Sequence, residues 1–413
     1  MNILRNPFAI NINYGKDIHP ASARGLNQAT IRSLEPANVI MYLVTTLLVI
    51  GIIMVYSTSS AKTAEGAGSM NIIFLKHVAW IIIAITGMLI MMKTDYHHLQ
   101  RYSMIILIVA LAGLAVVLIP EIGAKINGSR RWIRAGIFGY QPSEFAKLAM
   151  IIFLSGYIAK NREKMATFAK GFVVPIILIG VVSLLILKEP DFGTAMFITV
   201  VSFILLMTGG TRIIYVIFTL IASIPHIYQI YINKFPAYQH DRLLAFLDPW
   251  KDPMGIGYQI IQSWIALGSG GIAGLGLGES RQKLFFLPMS DNDFIFSIIG
   301  EEFGFIGTTC IIIMFALFAW QGMRICKAAP DAFGFFLALG ITASIALQAA
   351  INVAVVTGSI PTKGLPLPFI STGGSSILLS LLGVGILLNI ARQSENSDVS
   401  ACNVEEDNRS LVT

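Results

Sequence analysis

Charge is scarce in this chain. Asp, Glu, Lys and Arg make up 13% of its 413 residues, where an ordinary soluble protein carries about a quarter. With 55% hydrophobic residues and a mean hydropathy of +0.73, that deficit excludes a soluble globular enzyme. Cysteine is nearly absent as well. Cys310, Cys326 and Cys402 lack metal-ligand spacing and support no disulfide framework. A cleavable signal is also missing: the first 38 residues are polar, with Arg5, Lys16, Arg24 and Arg32, and have no early apolar core. The first apolar span therefore serves as the signal. No internal repeat stands out, which removes support for an inverted-repeat transporter. The net charge of +6 reflects Lys and Arg beside membrane segments and argues against nucleic acid as a partner.

What the chain does have is long apolar runs. Runs of about 20 residues read as membrane helices. They fall near 39–58, 72–92, 103–120, 142–159, 171–187, 192–209, 211–231, 292–320, 332–356 and 373–391. This predicts an all-α polytopic membrane protein with about ten spans, the eighth long enough to tilt. An even number of spans puts both termini on one side. The Lys and Arg distribution barely favours cytoplasmic termini. The loop Lys160-Asn161-Arg162-Glu163-Lys164 supports that orientation, and Ser129-Arg130-Arg131-Trp132-Ile133-Arg134 opposes it unless external cations serve an anionic substrate. The expected organisation is a polar segment over 1–38, a transmembrane domain over 39–392 and a disordered tail over 393–413. The large loop 232–291 joins spans seven and eight. Within it, Tyr258 to Ala266 predicts an amphipathic or re-entrant piece at the interface.

Chemistry concentrates in a few places. The acidic turn from Leu287 to Asp293 runs straight into an apolar helix carrying Glu301 and Glu302. Asp293 sits where that helix leaves the lipid, and Glu301 lies about 12 Å deeper. Ionisable groups at such depth are functional candidates by default. Asp293 can be a helix cap, a general base, or with Asp291 a cation site, whereas Glu301 and Glu302 read as internal structural carboxylates. Glu144 and Lys147 share a helix face and can pair with each other. Asp191, at a span end on the same side, is the preferred partner for Lys147. Trp132 with Arg130, Arg131 and Arg134 suits either an interfacial anchor or a contact to phosphate and sugar. Arg242 and Lys251 in the large loop could hold a diphosphate. The Gly-rich run Ser269 to Gly278 lacks the strand–turn–helix context of a nucleotide site. Gly358 to Ser376 carries Pro361, Pro366 and Pro368, which bar regular helix; a rigid loop presenting Lys363 over a membrane cavity fits, as does a plain ordered connection.

Taken together, these segments resemble the shape, elongation, division and sporulation family of polytopic membrane proteins. The resemblance rests on Asn127-Gly128-Ser129-Arg130-Arg131-Trp132-Ile133, Gln141 to Lys147, Glu189-Pro190-Asp191-Phe192-Gly193-Thr194, Asp293-Phe294-Ile295-Phe296 with Gly300-Glu301-Glu302, and Gln348 to Ser376. Pro361 to Pro368 is more similar to the division and sporulation members than to the elongation member. Thr372 departs from the pattern, which has Tyr before the Gly pair.

The resemblance implies a peptidoglycan glycosyltransferase that polymerises lipid II on the outer face of the cytoplasmic membrane, with cytoplasmic termini. It implies Asp293 as the essential carboxylate. It also implies a class B penicillin-binding transpeptidase as partner, alongside other division proteins. Trp132, Arg130, Arg131, Glu144, Lys147, Asp191, Arg242 and Lys363 are the expected substrate or cavity residues. No metal-ligand set and no resident cofactor are expected, with a divalent cation left open. A lipid II flippase, an elongation-type polymerase and a scaffold for the transpeptidase are the rival readings.

Overall fold

The computed structural model describes residues 35–63, 70–126, 129–135, 138–232, 237–284 and 286–410. Most of the N-terminal polar segment, Asn127-Gly128 and the last three residues lie outside them. Helices α1 (Pro36–Thr63), α2 (Met70–Lys93), α3 (His97–Arg101) and α4 (Ser103–Val117) come first. Then follow α5 (Pro142–Asn161), α6 (Val174–Lys188), α7 (Phe192–Thr208), α8 (Ile213–Ile232), α9 (Ala237–Leu247) and α10 (Tyr258–Gly270). The chain closes with α11 (Ile295–Ala328), α12 (Ala332–Val356) and α13 (Gly374–Ser410).

Among the described residues, seven helices are long and apolar enough to cross a membrane. α4 and α7 are apolar but have 15 and 17 residues, short of the roughly 20 that span a bilayer without help. The expectation of an all-α chain needs one addition. Between α4 and α5 lies a three-stranded antiparallel sheet of β1 (Gly123–Ile126), β2 (Ser129–Ala135) and β3 (Phe138–Tyr140). Its register sets Trp132 opposite Ala124 and Arg134 opposite Gly139. Strands form here because the stretch is short, bounded by turns and too polar to remain in lipid. The tail expected to be disordered is helical to Ser410, because adding a residue to an existing helix fixes little more chain per hydrogen bond gained.

α12 is the central element. It packs against α11 on one side and α5 on the other, and also meets α7 and α13, while α2 runs along α13. Its first turn is capped by Asp331, whose carboxylate accepts from the Phe333 and Gly334 amides.

α11 is not one straight rod. It breaks at Gly304, which takes φ 64 and ψ −160. A break at membrane depth frees backbone groups that lipid cannot satisfy. The Gly-rich run satisfies them. Phe305 N–H donates to Gly271 O at 2.9 Å and Ile306 N–H to Ile272 O at 3.2 Å, while Glu301 O and Glu302 O accept from Leu275 and Gly276 at 3.0 Å each. The approach is too close for side chains: a Cβ on Gly274, itself at φ 84, would stand 2.1 Å from Glu302 O.

The two carboxylates at the break are buried and structural, as their sequence position suggested. Glu302 pairs with Lys283 at 2.8 Å, and Ser57 of α1 donates to the same oxygen at 2.9 Å. Glu301 accepts from Ser280 Oγ and from the Arg281 amide at 2.9 Å.

Two stability predictions follow from this packing. Gly274→Ala forces a Cβ against a carbonyl at a left-handed residue and lowers stability by roughly 1–3 kcal/mol, read as a drop in melting temperature. Glu302→Ala strands a buried ammonium and costs about 3–5 kcal/mol. The double change Lys283→Met with Glu302→Leu leaves no uncompensated charge and costs less than Glu302→Ala alone.

Candidate active site

The site forms where four chain segments meet around Asp293. The first is the acidic turn itself, whose successive carbonyls are each held from outside. Asp291 O accepts from the Thr372 amide at 3.1 Å and the Thr372 hydroxyl at 3.0 Å. Asn292 O accepts from Ser371 Oγ at 2.6 Å. Asp293 O accepts from Asn352 Nδ2 of α12 at 2.9 Å. Thr372, the departure from the family pattern, thus supplies a hydroxyl at the spot where it is used.

The second segment is the proline-rich loop. Asn352 Nδ2 also donates to Leu365 O at 2.8 Å, and Ser371 Oγ accepts from the Leu367 amide at 2.8 Å. A Cβ on Gly364 would stand 2.9 Å from Asp293 Oδ2, so the carboxylate rests against the loop where only glycine leaves room. Arg242 of α9 donates to Thr362 O at 3.0 Å, tying the third segment to the same loop.

The fourth segment is the Glu189-Pro190-Asp191 turn between α6 and α7. Arg131 of β2 donates to Glu189 O at 3.0 Å and to Pro190 O. Lys363 completes the contact: its ammonium lies 2.8 Å from Met196 Sδ and 5.7 Å from the Phe192 ring centroid. Burial lowers the Lys363 pKa. A thioether and an aromatic face leave that ammonium with donor capacity for an anion.

Electrostatics single out Asp293. The residue is half-buried as a whole, yet its Oδ1 is enclosed without a hydrogen-bond partner among the described residues. Burial pushes its carboxyl up to about 7; Arg242 is the strongest opposing charge, Asp191 and Asp291 add to the rise, and Arg131 counters it. Glu189 behaves similarly. Both of its oxygens are buried without a hydrogen-bond partner among the described residues, and burial with help from Asp191 against Arg131 pushes it up to about 8. Asp293 does not cap α11, contrary to one sequence reading: the cap position is Phe294, with no side-chain cap bond.

The expected Lys147–Asp191 pair does not form. Lys147 pairs with Glu144 one turn away at 2.8 Å and donates to Gln348 Oε1 at 3.0 Å. Asp191 instead caps α7, accepting from the Thr194 amide at 3.1 Å and hydroxyl at 2.9 Å. The reason is local: Glu144 and Thr194 are each three residues from their partners, and neither contact requires two helices to approach. Gln348 carries the polar chain onward, donating to Pro366 O at 2.9 Å.

Asp293, Asp191, Arg131, Arg242 and Lys363 are therefore brought together. Glu144 and Lys147 line a small crevice between α5, α12 and α13. On β2, strand alternation puts Arg130 and Trp132 on the face opposite Arg131, and the Trp132 ring lies over Gly139. Among the described residues, no group of three or more His, Cys, Asp or Glu could hold a metal. Sequence reasoning passed over Gln348 and Asn352 as individuals. Their signal was present: two amides four residues apart in an otherwise apolar helix.

Double-mutant cycles test the revised pairing. Coupling of about 0.5–3 kcal/mol is expected between Lys147 and Glu144 and between Lys147 and Gln348. Lys147 with Asp191 is expected to be additive, and a larger coupling there would overturn the assignment.

Comparison with known proteins identifies the family. Residues 37–396 match the model of the cell cycle protein family of FtsW, RodA and SpoVE. The chain is 44% identical over 353 residues to the probable peptidoglycan glycosyltransferase FtsW of Trichlorobacter lovleyi, covering 86% of this chain and 92% of that protein. It is 40% identical over 366 residues to stage V sporulation protein E of Bacillus subtilis, covering 88% and 99%. Among solved structures it shares its fold with a chain from a study of polymerization and crosslinking by a peptidoglycan synthase complex. The TM-score there is 0.70 at 23% identity, over 86% of this chain and 97% of that one. The rod shape determining protein RodA of Thermus thermophilus gives a TM-score of 0.63 at 20% identity, over 86% and 96%. Matched along nearly its whole membrane domain, this multi-pass membrane protein belongs to the FtsW, RodA and SpoVE family of cell cycle proteins.

Proposed function

We propose that this protein is a peptidoglycan glycosyltransferase that polymerises lipid II during septal wall synthesis, with Asp293 as general base. One observation carries the reading: a carboxylate with an ionisation near 7 rests against Gly364 among Arg242, Arg131 and Lys363. The names of the relatives support it. In the reaction, the 4-hydroxyl of the acceptor GlcNAc attacks C1 of the donor MurNAc. Asp293 takes the hydroxyl proton as the new C–O bond forms. The bond from C1 to the phosphate oxygen breaks, and its electron pair leaves on undecaprenyl diphosphate. Lys363 and Arg242 offset that developing charge. A divalent cation, if bound by the substrate, would supply further counter-charge to the diphosphate beside Lys363 and Arg242. Buried Glu189, pushed up to about 8, stays protonated at neutral pH and adds no negative charge to repel the diphosphate.

The same reading places the site on the outer face of the cytoplasmic membrane and the termini in the cytoplasm, at the division septum. It takes a class B penicillin-binding transpeptidase as partner, alongside other division proteins. The solved likeness from a synthase complex that couples polymerization to crosslinking supports that pairing. Lipid II translocation is the second reading, favoured by the crevice that Glu144, Lys147 and Gln348 line. Against it, those two charges neutralise each other at 2.8 Å and offer a diphosphate no net charge.

Reconstitution with labelled lipid II and the partner separates the two. Polymerase activity is expected to fall about 10²–10⁴-fold in Asp293→Asn with lipid II still bound; unimpaired glycan chains would remove the base assignment. Translocation without glycan chains in the wild-type protein would favour the flippase.

The pH dependence has a defined sign. The base works when ionised, so the rate falls with pH below about 7 and levels above it, and Asp293 is absent from the profile of any residual Asn activity. Stability runs the other way. Asp293 ionises near 4 in the unfolded chain and near 7 in the fold. Between these values the folded protein holds the extra proton, and stability drops as pH rises. Asp293→Asn is therefore expected to raise the melting temperature more at pH ~8 than at pH ~5.

A further inference from the structure

α12 presents two amides one turn apart, and each joins segments that carry charged groups. Gln348 links Lys147 to the Pro366 carbonyl. Asn352, 1% exposed, spends both hydrogens of its Nδ2 on the carbonyls of Asp293 and Leu365. These two carbonyls belong to segments more than seventy residues apart in sequence. Between them the Asp293 carboxylate meets Gly364.

What orients that carboxylate is not a hydrogen bond of its own. Its Oδ1 has no partner among the described residues, and a half-buried acid with a free oxygen can rotate or retreat. Its place is set by the backbone beneath it. Asp291 O and Asn292 O are held by hydroxyls of Thr372 and Ser371, which lie on a loop. Asp293 O is held from a helix, and the same amide holds the loop segment that the carboxylate touches. Asn352 thus ties the acid to α12, a second helix beside the α11 that follows it in the chain.

We propose that Asn352 is a positioning residue for glycosyl transfer: its amide clamps Asp293 and Leu365 together and thereby fixes the carboxylate against Gly364. This rests on Asp293 as the base. Groups that face the same position are Arg242 from α9, Arg131 from β2, Asp191 before α7, and Asp291 in the acidic turn. None of them donates to the Asp293 or Leu365 carbonyl in the hydrogen bonds described above, so loss of the Asn352 amide leaves both carbonyls without that donor.

The test uses the full-length protein with its transpeptidase partner and labelled lipid II, comparing Asn352→Ala, Asn352→Ser, Asn352→Asp and Asp293→Asn. A displaced base loses turnover rather than binding, and a shift of about 1 Å can cost 10²-fold. Asn352→Ala is expected to lower kcat about 10–100-fold with KM for lipid II unchanged within error. Asn352→Ser, which keeps one donor, recovers part of it.

Asn352→Asp provides a signature that a purely structural role would not. Its side chain donates only when protonated while Asp293 must be ionised, so its activity passes through a maximum and declines at higher pH, where the wild-type rate is level. A wild-type kcat in Asn352→Ala overturns the proposal. So does a loss confined to KM, or a pH profile of Asn352→Asp parallel to wild type. An inactive Asp293→Asn beside a fully active Asn352→Ala refutes the positioning role alone, whereas an active Asp293→Asn refutes the base reading on which it stands.

Discussion

A backbone amide or carbonyl at membrane depth must find its partner within the protein. Two irregular stretches of this chain meet that demand, and the site is built from how they do so. Where α11 breaks at Gly304, the run from Gly271 to Gly276 supplies donors and acceptors on both sides of the gap. Where the acidic turn exposes three successive carbonyls, Thr372, Ser371 and Asn352 take one each. The glycine run that resembled a nucleotide loop in sequence is thus a backbone splint. The proline-rich loop is held in register with the acid it faces.

The same low-polarity setting sorts the charges. A buried charge persists when it is paired and is costly when it is not. Lys147 with Glu144 and Lys283 with Glu302 are paired, and they brace helices. Asp293 and Glu189 are left with enclosed, unpartnered oxygens, and burial raises both carboxyls toward or above neutrality. On the proposed function, that difference separates ion-paired scaffold acids from the acid that takes the proton. Asp293 gains base strength from the burial that costs the fold stability. A helix terminus would favour the charged carboxylate and make it a weaker base, but Asp293 does not cap α11.

Much of the site was legible residue by residue. Asp293, Arg131, Arg242 and Lys363 each stood out as charge beside apolar sequence, and they do converge. Arg130 and Trp132 stood out equally, yet strand alternation turns them to the other face of β2. The Lys147–Asp191 pair was the reasonable choice when both groups lay at span ends on one side. It lost to contacts three residues away, which need no tertiary coincidence. Asn352 and Gln348 were hidden because an uncharged amide carries no obvious chemistry until its acceptors are known.

The sequence by itself determined that this is a helical membrane protein, roughly where its helices run and to which family it belongs. Those properties follow from hydropathy over windows of about 20 residues and from short local motifs. Only the tertiary structure decided which carboxylates are paired and which, Asp293 and Glu189, keep enclosed oxygens without a partner among the described residues. Pairing inside a membrane domain joins residues as distant as Ser57 and Glu302 or Tyr96 and Asn389, and no local pattern encodes such a distance. The break in α11, the glycines that mend it and the amide beneath Asp293 are outcomes of that packing. Each exists because a polar group excluded from water had to be met by another part of the chain.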